Sequence, residues 1–298
     1  MSDSTTIQND LEYFRRELQS VTKNKRLGAL FNYAAKQIAI TSFENRIVYA
    51  KPNNLNQLDL WDVQTSKLVY CFTDAHRKRI CSITAAAVMN YILSGSEDNT
   101  IAVWSLTQRG LLHRFENAHT SAITSLAAPM TNSKFGVSAA WDKSIAIWDL
   151  QEKKLTHRFE AAHSDDIWTI AISANNEYIV SAGEDQSIAV WSISKKKIYH
   201  KSTNAHSNTI CSVTVTPDSQ CIVSGSADGT VRIWNLQSKT CIETLERENL
   251  SPVRAVAVSE DSKYLYYGGS GGSLSVELFG DKEKREYLRT ISLHFAHY

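Results

Sequence analysis

The chain has 298 residues, and its 32 basic and 31 acidic side chains leave a formal net charge of +1. This balance gives no chain-wide attraction for nucleic acid or an anionic membrane, so we expect no direct nucleic-acid binding. No run of about 18 consecutive apolar residues predicts a transmembrane span. The N-terminus also lacks the apolar stretch of a signal peptide. We therefore expect an intracellular protein of the cytoplasm or the nucleus.

The N-terminal segment predicts a short amphipathic helix. Within residues 8–21, Leu11, Phe14, Leu18 and Val21 follow one another at helical spacing. This pattern suits a helix packed against the rest of the chain, and equally a helix–helix contact with a partner. We expect residues 1–25 to form a helical extension and residues 26–298 to form one β domain.

A tryptophan then returns at a nearly fixed interval. The separations are 43, 44, 43 and 43 residues for Trp61, Trp104, Trp148, Trp191 and Trp234. A period in this range, with apolar alternation before each tryptophan, predicts an all-β propeller of four-stranded antiparallel blades.

One repeat shows the four strands of a blade, here called a to d. Alternating runs cover residues 210–215, 221–224, 230–234 and 240–245, and residues that favour turns separate them. The five cysteines, Cys71, Cys81, Cys211, Cys221 and Cys241, all fall in such predicted strands. They lack metal-ligand spacing, so we expect small buried side chains in a reducing compartment, with no metal or other cofactor.

Four repeats also share a set of polar residues at nearly constant spacing. Each has a histidine 28 or 29 residues before its tryptophan, an aspartate 6 before it, and a serine 4 before that aspartate. The four sets are His76, Ser94, Asp98, Trp104; His119, Ser138, Asp142, Trp148; His163, Ser181, Asp185, Trp191; and His206, Ser224, Asp228, Trp234.

These motifs resemble the WD-repeat (WD40) family across roughly residues 36–280. The segments that carry the resemblance are SGSEDNTIAVWS, SAAWDKSIAIWD, SAGEDQSIAVWS and SGSADGTVRIWN, each with an upstream Ala-His where the family has Gly-His. The resemblance implies a β-propeller whose polar set is a structural hydrogen-bond network within each blade. It also implies a protein that binds other proteins or peptides rather than an enzyme.

The same residue types would suit a nucleophilic triad, because serine, histidine and aspartate occur together. A catalytic site is needed once, whereas this set occurs four times, each with a tryptophan. Catalysis in the central channel therefore stays a remote alternative. A deep pocket with a perturbed histidine or carboxylate outside the repeated sets would favour it.

Two flanking units keep the apolar pattern and lose the polar one. Before Trp61, Tyr33 and Leu55 stand where histidine and aspartate are expected. Past Trp234, the rhythm reaches Glu277, with Asn249 and Gly271 at the corresponding positions. We therefore expect six recognisable blades, of which four are regular.

The two ends leave the blade count open. Residues 26–31 are placed where strand d of a preceding blade would lie, and residues 293–298 resemble the approach to a new blade. A six-blade ring that closes on itself and a seven-blade plan that is truncated at the C-terminus both fit. Pairing of residues 26–31 with the blade that contains Glu277 would favour six.

The resemblance places the d–a and b–c loops on one face, around the central channel. Candidate partner-binding residues there are Arg77, Lys78, Arg79, Asp165, Asp166, Trp168 and the residues before the network aspartates, Glu97, Trp141 and Glu184. Trp141 is a binding hot spot or packs onto a neighbouring loop, and Trp168 narrows the channel or packs between blades. We expect a non-catalytic scaffold, or a regulatory or targeting module of a larger protein.

Overall fold

The computed structural model describes residues 38–41, 46–50, 57–62, 65, 67–74, 76–86, 89–129, 134–246, 251–269, 273–279 and 293–294. The predicted N-terminal helix, the strand expected at residues 26–31, and Tyr33, Leu55, Asn249 and Gly271 lie outside these residues. No helix among the described residues is long and apolar enough to cross a membrane.

The described residues form six four-stranded antiparallel sheets, here called blades 1 to 6, and confirm the predicted all-β blades. Blades 1 to 3 contain β1 Ile38–Thr41, β2 Arg46–Ala50, β3 Leu58–Asp62, β4 Lys67–Phe72, β5 Ile80–Ala86, β6 Tyr91–Ser96, β7 Ile101–Ser105, β8 Gly110–Phe115, β9 Ile123–Ala127, β10 Phe135–Ala140, β11 Ile145–Asp149 and β12 Lys154–Phe159. Blades 4 to 6 contain β13 Ile167–Ile172, β14 Tyr178–Gly183, β15 Ile188–Ser192, β16 Lys197–Ser202, β17 Ile210–Val215, β18 Cys221–Ser226, β19 Thr230–Asn235, β20 Thr240–Glu246, β21 Val253–Val258, β22 Tyr264–Gly269, β23 Ser273–Leu278 and β24 Leu293–His294.

Successive blades meet through their first strands. Strand a of each blade contacts strand a of the next, in the series β1, β5, β9, β13, β17 and β21. Among the described residues, five hydrophobic cores lie between neighbouring blades. The first, for example, joins Leu58 and Leu60 of blade 1 to Ile83 and Trp104 of blade 2. Because each apolar face is buried only against its neighbour, the blades depend on one another for stability.

Hydroxyl groups on the inner strands also join the blades. Ser125 Oγ of blade 3 accepts a hydrogen bond from Ile170 N–H of blade 4 at 3.2 Å. Equivalent bonds, 3.0 to 3.2 Å long, are Ser82 Oγ to Leu126 N, Thr169 Oγ1 to Val213 N and Ser212 Oγ to Val256 N. Each bond satisfies an amide on the strand edge that faces away from its own sheet, where an unpaired group would be costly.

We expect Ser125→Ala to lower the free energy of unfolding by about 1–3 kcal/mol, because it leaves the buried Ile170 N–H without its acceptor. Urea unfolding of the full chain measures this change. Ser238→Ala is the matched control, since Ser238 is exposed in a c–d turn and its loss should stay within about 0.5 kcal/mol. Equal effects of the two variants would show that this inter-blade bond contributes nothing particular.

One cysteine prediction was wrong. The cysteines lie in strands as expected, but only Cys211 is buried, whereas Cys241 is exposed and the other three are intermediate. The reason is strand position: Cys241 lies on strand d, which has no further strand beside it in its sheet. Burial on an outer strand alternates and is incomplete.

Candidate functional site

Blade 4 shows how the repeated polar residues fit together. His163 Nε2 lies 2.7 Å from Ser181 Oγ, and the same oxygen accepts a hydrogen bond from Trp191 Nε1 at 2.8 Å. On the other side of the ring, His163 Nδ1 lies 2.9 Å from Asp185 Oδ1. The Asp185 carboxylate accepts further bonds from the amide and hydroxyl of Ser187. The pattern assigns the ring proton to Nδ1, so that Ser181 donates to Nε2.

The same network recurs in blades 2, 3 and 5. The serine-to-histidine distances are 2.7, 2.7 and 2.8 Å, and the indole-to-serine distances are 2.8, 2.8 and 2.9 Å. The sequence analysis missed one member, a hydroxyl two residues after each aspartate, which donates to the carboxylate: Thr100, Ser144, Ser187 and Thr230. Its constant spacing in the four repeats was the available signal.

These sets have the connectivity of a catalytic triad without its accessibility. Ser94, Ser138, Ser181 and Ser224 are each 0% exposed. The hydroxyl oxygen that would attack a substrate already accepts the indole proton of the tryptophan in its own blade. A buried, doubly hydrogen-bonded hydroxyl cannot approach a carbonyl carbon, so the network is best described as structure.

The network aspartates make folding sensitive to acid. Burial opposes ionisation of Asp228, but hydrogen bonds from Thr230 and Ser207 outweigh it and lower its pKa to about 2. Burial is outweighed in the same way at Asp98, Asp142 and Asp185, whose pKa values lie well below the ordinary range. Burial lowers the pKa of His206, with Asp228 opposing the change.

Stability should therefore fall as the pH is lowered. Below about pH 6.5 the unfolded chain protonates at His206 while the folded chain resists, and below about pH 4 the unfolded chain protonates at the four aspartates first. In both ranges the unfolded state binds more protons, which destabilises the fold. Urea unfolding between about pH 7 and about pH 3 measures the trend. A free energy of unfolding that stays constant or rises as the pH is lowered would contradict the lowered pKa values of the network aspartates and His206.

In blades 2 to 5 a backbone hydrogen bond joins the b–c turn to the d–a loop. The residue before the network aspartate donates its amide to a d–a loop carbonyl: Glu97 to Arg79, Trp141 to Ala122, Glu184 to Asp166 and Ala227 to Thr209, at 2.9 to 3.0 Å. In blade 4 this approach needs Gly183, because an added Cβ would lie 2.0 Å from the Asp166 carbonyl oxygen. In these four blades the b–c turn and the d–a loop therefore lie side by side.

Trp168 occupies a recurrent bulge. In strand a of blades 2 to 6 the second residue has no partner in the register with strand b. The residues at this position are Cys81, Thr124, Trp168, Cys211 and Arg254. Because a bulge re-aims its side chain, blade 4 presents a large aromatic group where its neighbours present smaller or more flexible ones.

Trp141 and Trp168 come together at the junction of blades 3 and 4. Their ring centroids are 6.2 Å apart at an interplanar angle of 65°, an edge-to-face arrangement. Trp141 remains 36% exposed, so it is both exposed and packed on its neighbour. Trp168 Nε1 donates to Glu184 Oε2 at 2.9 Å, which fixes the second indole beside a carboxylate.

Charged side chains border this aromatic pair. Lys143, two residues after Trp141, donates to the Ser164 carbonyl at 2.8 Å, and its Nζ lies 3.4 Å from Asp165 Oδ1. Burial raises the pKa of Asp166, as do the nearby carboxylates of Asp165 and Glu184, while Lys143 opposes them. The sequence analysis missed Lys143, although its place in the turn next to Trp141 was the available signal.

The basic candidates lie elsewhere. Arg79 Nη2 lies 2.7 Å from Glu97 Oε1, so these two predicted binding residues pair with each other within blade 2. Arg77 and Lys78 are exposed, and their backbone atoms bond to Asp98 and Ser96. The structure thus brings together Trp141, Trp168, Glu184, Asp165 and Asp166, here called the junction cluster. The predicted basic residues of blade 2, at positions 77–79, do not belong to it.

Comparison with known families agrees with the repeats. The family model "WD domain, G-beta repeat" matches four stretches of the chain, residues 66–105, 110–149, 153–192 and 197–235, which together cover more than half of it. Each match starts at or beside strand d of one blade and ends at strand c of the next.

Proposed function

Since this chain belongs to the WD40 repeat family, we propose that it is a non-catalytic scaffold that binds a partner protein on its loop face, at the junction cluster. The family makes protein binding the general expectation. The observation that carries the location is the contact between Trp141 and Trp168, whose rings lie 6.2 Å apart.

The two tryptophans are both departures from the repeat. At the positions equivalent to Trp141 the other regular blades have Glu97, Glu184 and Ala227. Among the bulge positions described in blades 2 to 6, Trp168 is the one aromatic residue. Residues that recur in the four regular blades are explained by the hydrogen-bond network that builds those blades. Two singular aromatic side chains that meet on one face call for another explanation, and tryptophan is enriched among interface hot spots.

Affinity purification of the tagged full chain tests this function. We expect wild type to retain one or more proteins that Trp141→Ala loses, because truncation of a hot-spot tryptophan typically weakens binding by about 30-fold or more. Leu111→Ala is the matched control, since Leu111 is 47% exposed on β8, away from the loop face.

The outcome is decided by the comparison of the two variants. Loss of a protein with Trp141→Ala and its retention with Leu111→Ala supports the proposal. An identical set of proteins with wild type and Trp141→Ala overturns the assignment of binding to the junction cluster.

A further inference from the structure

The junction cluster combines an exposed aromatic surface with an excess of negative charge. Trp141 is 36% exposed, and the carboxylates of Glu184, Asp165 and Asp166 lie in the loops next to it. Lys143, which contacts Asp165 at 3.4 Å, is the cation that balances part of this charge. Three carboxylates against one ammonium group leave an acidic surface beside the indoles.

One of the acidic groups contacts the aromatic pair directly. Trp168 Nε1 donates to Glu184 Oε2 at 2.9 Å, so one carboxylate touches the edge of one indole. Burial raises the pKa of Asp166, and the charges of Asp165 and Glu184 raise it further against the opposing charge of Lys143, so Asp166 lies near both carboxylates. A cation placed there would relieve this repulsion.

The junctions on either side lack this combination. Between blades 2 and 3 the equivalent positions carry Glu97 and Thr124, and Glu97 already pairs with Arg79 at 2.7 Å. Between blades 4 and 5 they carry Glu184 and Cys211. Among the described junctions, the one between blades 3 and 4 alone offers two indoles together with several carboxylates.

We propose that the junction cluster binds a lysine or arginine side chain from an extended segment of the partner protein, with the cation against the Trp141 indole and within reach of Glu184 and Asp166. The proposal rests on the proposed function and names its partner chemistry. Tryptophan is the strongest aromatic partner of a cation, and neighbouring carboxylates add charge-assisted hydrogen bonds. Acidic or apolar segments would meet repulsion or would leave the carboxylates unpaired.

Titration of the full chain with short peptides tests this chemistry. The probes are four acetylated and amidated Gly/Ser peptides that differ only at a central residue, which is Lys, Arg, Leu or Glu. The readout is the set of indole N–H signals of the ¹⁵N-labelled protein, with those of Trp141 and Trp168 assigned from Trp141→Phe and Trp168→Phe. We expect the Lys or the Arg peptide to shift these two signals at millimolar concentration and to leave the Trp104 signal unchanged.

Charge-neutral variants provide the second arm. Glu184→Gln and Asp166→Asn keep the shape of the side chain and one acceptor oxygen, but remove the negative charge. We expect each variant to weaken the binding of the basic peptide by about threefold to tenfold. Added salt should also weaken the binding of the basic peptide, because it screens the attraction between opposite charges. Glu97→Gln, at the neighbouring junction, is the matched control and should leave the affinity unchanged.

The outcomes separate this inference from the proposed function. Equal shifts with the Leu and Lys peptides, or no shift with any peptide, overturn recognition of a cation, even if Trp141→Ala still loses a captured protein. Shifts with the basic peptides that are insensitive to Glu184→Gln and Asp166→Asn overturn the role of the carboxylates. An unchanged set of captured proteins with Trp141→Ala removes the proposed function itself.

Discussion

Replacement of Asp185 by alanine should lower the free energy of unfolding by about 3–5 kcal/mol, the range for removal of one partner from a buried polar network. The carboxylate accepts bonds from His163 Nδ1 at 2.9 Å and from the Ser187 hydroxyl at 2.7 Å. His163 and Ser187 are each 2% exposed, so water cannot replace the lost acceptor. Equilibrium urea unfolding of the full chain, followed by circular dichroism, measures the change.

Asp165→Ala is the matched control for this variant. Asp165 lies in the adjacent d–a loop, its side chain is 53% exposed, and its ion pair with Lys143 is on the surface. Its removal should change stability by no more than about 0.5 kcal/mol. Similar losses for the two aspartate variants would mean that the repeated network does not support the blade as argued.

Replacement of Trp104 by alanine should cost about 3–5 kcal/mol, the usual range for a buried aromatic residue. Trp104 is 1% exposed, and its ring centroid lies 5.3 Å from that of Phe72 in the core between blades 1 and 2. The variant also removes the indole N–H that Ser94 Oγ accepts at 2.8 Å. The same urea experiment, with a thermal melt as a second readout, measures this loss.

Trp141→Ala tests the contrast between the two classes of tryptophan. Its side chain is exposed and belongs to no hydrophobic core of the described residues, so we expect a cost of about 1 kcal/mol or less. Substitution of a tryptophan that recurs in the repeats should affect folding, and substitution of Trp141 should affect binding. A loss of stability with Trp141→Ala that matches that of Trp104→Ala would contradict this division.

The fold and the network could be predicted because their information lies along the chain. The period of the tryptophans sets the blades, and the spacing of His163, Ser181 and Asp185 relative to Trp191 repeats in each regular unit. In the described residues the predicted strand a of blade 5 coincides with β17, Ile210–Val215. Local alternation and turn residues are sufficient for such elements.

Contacts between blades were harder to foresee. The meeting of Trp141 with Trp168 depends on how the turn of one blade lies beside the bulged strand of the next, and this offset has no signature within a single repeat. The hydroxyl bonds between inner strands, such as Ser125 to Ile170, were missed for the same reason. Both require the relative placement of two sheets, which spacing along the chain does not contain.

Blade 6 lacks the serine and tryptophan of the network but keeps a side-chain hydrogen bond at the same two positions. Tyr267 and Glu277 occupy the positions of the network serine and tryptophan, ten residues apart as Ser224 and Trp234 are. The Tyr267 hydroxyl donates to Glu277 Oε1, so strands b and c are still joined by a side-chain hydrogen bond, with the donor now on strand b. The chemistry of the contact is kept although both residue types change.

Hydrogen–deuterium exchange of the full chain, with and without a protein that it retains, tests the central claim most directly. The account places binding at one junction of the loop face. It predicts slowed exchange of the amides near Trp141 and of those at residues 164–168. Protection confined to the c–d turns on the opposite face, such as residues 193–196, with no change at the junction cluster, would contradict it.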